Sequence, residues 1–409
     1  MGRLRTCCLA LSASLAGKVA FPLSQEYNAS LASYFASQQS EVTPLCIVSP
    51  ENTEDVSAAI RILTTSTEVC HFTIRSGGHS TVAGASNINA GVTVDLRHLS
   101  GVQLSPDQRS VQVGAGAAWG AVCDTAVGFE VVTADGIVVH ANRREHPDLR
   151  WALCGGGNSF GVVTRVDLQT FALERGSGQF WGGVVYHDIS RADDEIAALE
   201  DFSNAPETYD VYSSLIASFA MVYTKPEPDP AAFRGLSAIP SLHSTMRVTD
   251  LSSILEEAEA LQMIGLRQAW ATLTIVPTAE ALQSTVKVWN ASTASVQGVE
   301  GITWALVMDP LPPAFYARHS EENALGLGGR QGGALMILLL DATYKQSSDD
   351  GKVDRALRAL VDSIERAWRT RRARPLSLPQ LRGTMAEPGR QLRGREHPKA
   401  QKCTEGLRS

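Results

Sequence analysis

The feature that most constrains this chain is the run Arg75-Ser76-Gly77-Gly78-His79-Ser80, placed directly after the apolar stretch Val69–Ile74. A short apolar stretch bounded by glycines reads as a buried strand ending in a loop. Two adjacent glycines let successive backbone N–H groups point into one concavity, which suits an anion such as a diphosphate. Ser76 and Ser80 add hydroxyl donors, although a tight turn would use the same two glycines. A second cluster, Gly155-Gly156-Gly157-Asn158-Ser159-Phe160-Gly161, follows a short predicted helix, Pro147–Leu153, and precedes a strand over Gly161–Val166. The nicotinamide-type fingerprint needs strand, then glycines, then helix, with G-x-G-x-x-G spacing. Both conditions fail here, so a Rossmann-type dinucleotide fold is disfavoured.

Around these loops, the first 175 residues alternate short strands and helices. Cys46–Val48 reads as a strand closed by Ser49-Pro50. Val56, Ala59, Ile60 and Leu63 recur at i, i+3, i+4 and i+7 behind Glu54 and Asp55, the spacing of a helix with one buried face. Strands follow at Gly91–Leu96 and Val111–Gly114, and Phe129–Thr133 and Ile137–Val139 flank Ala134-Asp135-Gly136 as a hairpin. Beyond about Arg175 the glycine loops stop. Asp193–Phe202, Ser252–Gln262 and Val353–Trp368 have helical spacing, and Ala271–Val276 and Ala334–Leu340 read as strands, giving a second α+β domain over 176–350. The tail from Arg369 is rich in Arg, Pro and Gly and has no period. It is expected to be disordered, with a basic binding arm as the alternative.

A net charge of −7 argues against a nucleic-acid partner, because phosphate backbones are bound by surplus Lys and Arg. No run reaches the roughly 18 apolar residues of a membrane span. The seven cysteines, Cys7, Cys8, Cys46, Cys70, Cys123, Cys154 and Cys403, include no C-x-x-C pair, and no His cluster completes a metal set. Two N-x-S sequons, at Asn28 and Asn290, favour an extracellular glycoprotein. Met1–Arg5 followed by Cys7–Ala16 has the outline of a signal peptide, yet reads better as the first helix of the folded chain.

In order along the chain, R-S-G-G-H-S, V-T-V-D-L, V-x-V-G-A-G-x-x-W-G, F-E-V-V-x-A-D-G and D-L-x-W-A-L-x-G-G-G-N-x-F-G-V-V-T resemble the PCMH-type FAD-binding domain. The likeness is to fungal berberine-bridge-enzyme-like oxidoreductases and covers residues 7–368. It implies an α+β fold, with a FAD-binding domain over 1–175 (core about 40–174) and a substrate domain over 176–350, an antiparallel sheet covered by helices. A helix over 351–368 would return to the FAD domain. The resemblance implies FAD as cofactor, and a small organic molecule and dioxygen as partners. Hydride transfer from substrate to flavin N5 would be followed by release of hydrogen peroxide.

Carried over by residue, Arg75, Ser76, Gly77, Gly78, His79 and Ser80 would line the FAD pyrophosphate, joined by Gly84. His79 would be the covalent anchor to the 8α-methyl of the isoalloxazine. Gly155, Gly156, Gly157, Gly161, Val162 and Val163 would approach the flavin and ribityl chain through backbone atoms. Cys70 is placed like a family cysteine that bridges to the N-terminal segment, with Cys8 or Cys7 as partner. The same likeness places any secretion signal upstream of Met1. Asn323-Ala324-Leu325-Gly326-Leu327 resembles a signature near the substrate side, where a structural turn is the other role. Tyr186, Tyr209, Tyr212 and Tyr223 are available as a substrate base, but tyrosines on strands are more often core residues, and none is assigned.

The sequence departs from the family in two places. Relatives follow the W-G motif with a helix and a second glycine-rich stretch, which supplies much of the diphosphate cradle and in some members a cysteinyl link. Here Trp119-Gly120-Ala121-Val122 runs straight into Cys123-Asp124, resembling the segment after that stretch, so Cys123 is not assigned to the flavin. The family's closing Y-x-N-Y-A-like and Y-D-P motifs have no match after Trp368. Losing half a cradle removes charge-assisted hydrogen bonds of about 1.5–3 kcal/mol each. Two functions are therefore carried forward, a FAD-linked oxidase and a non-catalytic remnant that does not hold FAD tightly. A binding protein using the second domain alone is a third.

Overall fold

The computed structural model describes residues 2–65, 70–117, 126–171, 178–204, 210, 212–216, 220–317, 324–325, 327 and 333–369. It opens with α1 (Gly2–Ser14), β1 (Val19–Ala20), α2 (Gln25–Ala32), α3 (Ser37–Ser40), β2 (Cys46–Val48), α4 (Thr53–Thr65), β3 (Phe72–Arg75) and β4 (Val92–Asp95). These strands form one sheet in the order β1-β2-β4-β3, parallel except for β1. A second sheet is antiparallel, built from β5 (Val102–Leu104), β6 (Ser110–Gly114), β7 (Ala126–Val132), β8 (Val138–Asn142) and, after α5 (Pro147–Leu153), β9 (Val162–Gln169). Its order is β5-β6-β9-β7-β8.

The rest of the chain continues with β10 (Gln179–His187), α6 (Ala192–Asn204), β11 (Ser213–Ile216), β12 (Ala220–Tyr223), α7 (Arg234–Ser237), β13 (Ser241–Ser244), β14 (Arg247–Asp250) and α8 (Leu251–Ala260). It ends with β15 (Arg267–Ile275), α9 (Ala279–Ser292), β16 (Thr303–Leu311), α10 (Pro313–Ala317), β17 (Leu335–Tyr344) and α11 (Asp350–Arg369). β10–β14 make a five-stranded sheet, and β15, β17 and β16 make an antiparallel three-stranded one in that order.

Local sequence explains the elements that frame the loops. In α4 the acidic first turn meets the helix dipole, and Val56, Ala59, Ile60 and Leu63 are buried as their spacing predicts. The hairpin of β7 and β8 turns through Gly136 at φ 77°, and the Gly136 carbonyl accepts from Ser57 Oγ at 2.5 Å and Arg61 Nη2 at 3.2 Å. That turn is thereby fastened to α4. In β15 and β17 the even alternation sends Ala271, Leu273, Ile275, Met336, Leu338 and Leu340 into a core shared with α6, α9 and α11.

The opening segment is a helix of the folded chain, with Leu11 and Leu15 buried and two disulfides on one turn. Cys7 bridges to Cys70 and Cys8 to Cys46. The resemblance left Cys70 open between two partners and gave Cys46 no role beyond a strand, so the second bridge is new. The main contacts of α11 are with α9 and β15, where Leu357, Leu360, Ile364 and Trp368 fit the apolar face of that sheet. At its start Asp350 pairs with Arg267 of β15, and Arg267 in turn reaches across to Glu41.

The two disulfides close spans of 63 and 38 residues around the first sheet. Replacing Cys8 and Cys46 together by Ser is expected to lower unfolding free energy by about 2–4 kcal/mol in denaturant titration. A change within error would show that the bridge adds nothing beyond packing.

Candidate functional site

β3 ends at Arg75, and the structure turns this side chain inward. It is 0% exposed, its guanidinium lies 3.6 Å from the centroid of the Tyr34 ring, and it donates to Ser30 O at 2.6 Å and Ser33 Oγ at 2.8 Å. The carboxylate of Asp95, at the end of β4, stands 3.6 Å away and accepts from Ser30 Oγ and Arg97. Burial alone would raise the Asp95 carboxyl, but hydrogen bonds from Arg97 and Ser30 and the charge of Arg75 outweigh it and hold it below the usual carboxylate range. Arg75 is thus a buried brace beneath the loop. Its guanidinium supports the loop from beneath and leaves any contact with a ligand to backbone atoms.

The loop lies on this brace. Gly78 has φ 71°, and a Cβ there would meet Arg75 Nε at 2.9 Å and the Tyr34 ring at 3.0 Å, so glycine is required for both backbone and space. Gly77 faces open space, and Ser76 Oγ donates to Ala115 O. Among the described residues, the backbone N–H groups of Gly77, Gly78, His79 and Ser80 have no acceptor, as an anion-binding nest demands. Ser80 is occupied locally, its Oγ accepting from Val82 N at 3.2 Å. Gly84 (φ 85°) donates its N–H to Gln39 Oε1 at 3.2 Å and shapes the return of the loop.

The His79 ring packs on Phe35 (centroids 3.9 Å apart) and edge-on to Trp270 at 5.6 Å. Burial against these rings lowers the imidazole pKa, which favours the neutral form that carries a free nitrogen lone pair. Trp270 of β15 comes from the face opposite the core, where it alternates with Thr272 and Thr274. Its Nε1 donates to Asp341 Oδ1 at 2.8 Å, directly across on β17. Burial pushes the Asp341 carboxyl up, more than hydrogen bonds from Trp270 and Thr343 lower it.

The second glycine cluster closes a different edge. Gly156 and Gly161 leave no room for a Cβ, at 2.3 Å from Ala152 O and 2.6 Å from Val131 Cγ1, whereas Gly157 (φ 73°) is open. A Cβ on Gly155 (φ 113°) would meet Leu325 at 3.0 Å, and Cys154 O accepts from Ala324 N at 2.7 Å. The part of the 323–327 motif that is described therefore packs on the glycines, while Asn323 and Gly326 lie outside the described residues. Val162 and Val163 extend β9 against Val132 and Val131. Asn158–Val162, Val132–Ala134, Ile60 and Thr64 of α4, and Phe72 and Ile74 of β3 line one cleft of about 360 Å³. Apolar side walls beside an edge of backbone suit a flat heterocycle.

Among the tyrosines considered as a base, Tyr223 donates to Asp210, Tyr212 lies under Lys225 and Tyr186 sits beside His243. Tyr209 lies outside the described residues, as do Trp119–Asp124 and the tail from 370. Among the described residues no group of three His, Cys, Asp or Glu is placed to hold a metal, and no helix is long and apolar enough to cross a membrane. Phe35, Trp270 and Asp341 were not singled out by sequence. The period-two alternation Trp270, Thr272, Thr274 against Ala271, Leu273, Ile275 is the signal that marks their face.

Residues 44–123 match the family model described as an FAD binding domain. An oligopeptidase, PhomG' of Diaporthe leptostromiformis, is 37% identical over 85% of this chain, which spans only 31% of that longer protein. The FAD-dependent monooxygenase sdcF of Emericella nidulans is 33% identical over 84% of this chain and 82% of its own length. The structure superposes on 6-hydroxy-D-nicotine oxidase from Arthrobacter nicotinovorans with a TM-score of 0.70 at 17% identity, covering 96% and 94% of the two chains. The fold is therefore that of the FAD-binding oxidoreductases with a PCMH-type domain. The chain belongs to the FAD-dependent oxidoreductases, with FAD as cofactor. A loop of unsatisfied N–H groups, a heterocycle-sized cleft and an aromatic-flanked histidine fit that cofactor.

Arg75→Met is expected to destabilise the protein by about 3 kcal/mol or more, because it strands a buried charge partner. Asp95 also sets an acid limb. With its folded pKa below the unfolded value near 3.8, its stabilisation is full above that value and lost as pH falls through the folded pKa. Asp95→Asn should flatten the stability curve there, read by thermal melts between neutral and acid pH.

Proposed function

We propose that this chain is an oxidase that removes a hydride from a small organic substrate and passes the electrons through FAD to dioxygen. The observation that carries the reading is the loop of residues 76–80, which presents open N–H groups beside His79. On this reading residues 1–175 hold the cofactor and 176–350 form the substrate side. Bound FAD supplies the two-electron acceptor. The backbone of Gly77–Ser80 binds the diphosphate, and the cleft beside β3 and α4 takes a flat ring. The neutral His79 imidazole is the covalent anchor at the 8α-methyl. Phe35, Trp270 and the open face of β15 and β17 shape the substrate side and keep water from it.

Two disulfides and exposed Asn28 and Asn290 support a secreted, glycosylated protein. Because Ser30 Oγ is bonded to buried Asp95, a glycan at Asn28 would have to be added before the first sheet closes.

One observation favours the second reading, a remnant that holds FAD weakly. β6 and β7 both run antiparallel to β9, on opposite sides of it, so they are parallel to each other. Such a connection needs about a dozen residues or more, commonly with a helix, and the eleven residues 115–125 between Gly114 and Ala126 stand at the lower end of that range.

Acid-denatured protein on a gel tests both. A fluorescent band that vanishes in His79→Ala is the expected result. A dark band that gains fluorescence when a longer glycine-rich crossover is inserted after Val122 would select the remnant. With substrate in hand, peroxide equal to dioxygen consumed marks an oxidase. Oxygen incorporated into product marks a monooxygenase, the activity for which sdcF is named.

A further inference from the structure

We propose that Asp341 is a positioning residue for His79, acting at one remove through Trp270. The inference rests on His79 as the flavin attachment point. His79 follows Gly78 in a loop outside any strand ladder, and among the described residues its imidazole has no hydrogen-bond partner. The direction of the ring is therefore set by what packs on it, namely Phe35 and Trp270.

These two rings are fixed in different ways. Phe35 is held by its own backbone, its N–H donating to Gly78 O at 3.3 Å and its carbonyl accepting from Gly265 N at 2.8 Å. Trp270 stands off β15 and carries a polar handle, its indole N–H, by which the ring can be fastened. Asp341 is its in-register partner on β17 and accepts from the indole Nε1 at 2.8 Å. On its other side Asp341 faces Ala305 of β16, whose methyl group offers it no competing polar contact. Asp341 is partly buried, and among the described residues no Lys or Arg pairs with it. A sheet in need of a cross-strand pair alone would gain more from an apolar or threonine partner.

Attachment makes such positioning matter. One bond forms between an imidazole nitrogen of His79 and the 8α carbon. The nitrogen and the carbon each lose a hydrogen as a proton, and two electrons leave through the ring system to dioxygen, giving hydrogen peroxide. Bond formation of this kind is steeply sensitive to the approach of the nitrogen, whereas noncovalent uptake of FAD through the loop N–H groups is not.

The test loads full-length apoprotein with FAD for a fixed time. It measures total bound flavin in the native protein and the fraction that survives acid denaturation. Asp341→Ala and Trp270→Phe are each expected to lower the covalent fraction by about fivefold or more, with total uptake unchanged. Asp341→Asn keeps an acceptor for the indole and should stay within about twofold of the parent. Asp341→Ala combined with Trp270→Phe should fall no further than either change alone. A parent band that fluoresces while Asp341→Ala matches it overturns this inference and leaves the His79 reading standing. So does a covalent fraction that falls only in step with total uptake. A dark parent band that nevertheless binds FAD overturns the His79 reading and this inference with it.

Discussion

A guanidinium with no exposed surface lies under the loop that carries His79, and a charge so placed is tolerable only where protein groups replace its hydration. Here the replacement comes from four directions. The Tyr34 ring supplies a π face, Ser30 a carbonyl, Ser33 a hydroxyl and Asp95 a counter-charge. Asp95 is itself steadied by the Arg97 fork. The result ties the ends of β3 and β4 to the last turn of α2. Gly78 then rests so close above Arg75 that its backbone has one available path. The course of the loop backbone at Gly78 thus depends on the buried Arg75–Asp95 pair beneath it.

The same stretch of chain carries the effect across the molecule. Tyr34 covers Arg75, and Phe35, next in sequence, touches His79. Ser37 donates to Leu266 O at 3.0 Å, and Gln38 exchanges hydrogen bonds with the backbone of Gln268. Glu41 meets Arg267, which also holds Asp350 at the start of α11. Within eight residues the chain therefore fixes the loop, one ring beside the histidine and the edge of β15. A shift of β15 would move Trp270 against His79, whereas the helices behind the sheet could repack with little effect on the site.

Much of this was legible where local backbone chemistry dominates. The two glycine clusters, the hairpin at Gly136 and α4 follow from positive-φ demand and a 3.6-residue period, and each stands where those rules place it. Arg75 shows where they stop. An arginine before two glycines reads as a phosphate ligand, and only residues 41 to 45 positions away, Ser30, Ser33 and Tyr34, reveal its other use. Trp270 and Asp341 lie just outside the apolar runs Ala271–Val276 and Ala334–Leu340, which drew attention to the core face. Strand β16 escaped notice altogether, since Asp309 and Pro310 break its apolar pattern near the end. Cys46 illustrates the same limit, because strand patterning gives no hint of a partner 38 residues away.

The short crossover after β6 bears differently on fold and on function. The first two sheets bury separate cores, around Val48, Val92 and Val94 in one and Phe129, Val131 and Val166 in the other. The members of both cores lie on described strands and helices, and it is their apolar burial that holds the sheets together. Agreement with a solved oxidase over 96% of the chain is therefore compatible with a reduced cradle. Anion binding has no such reserve. Its strength is a sum over individual N–H groups, and each donor removed weakens the hold on a diphosphate by an amount no distant packing restores. A fold stabilised by its cores and a site assembled from loops can thus part company in one chain. The loop braced by Arg75 and flanked by Phe35 and Trp270 depends on such individual donors rather than on the cores.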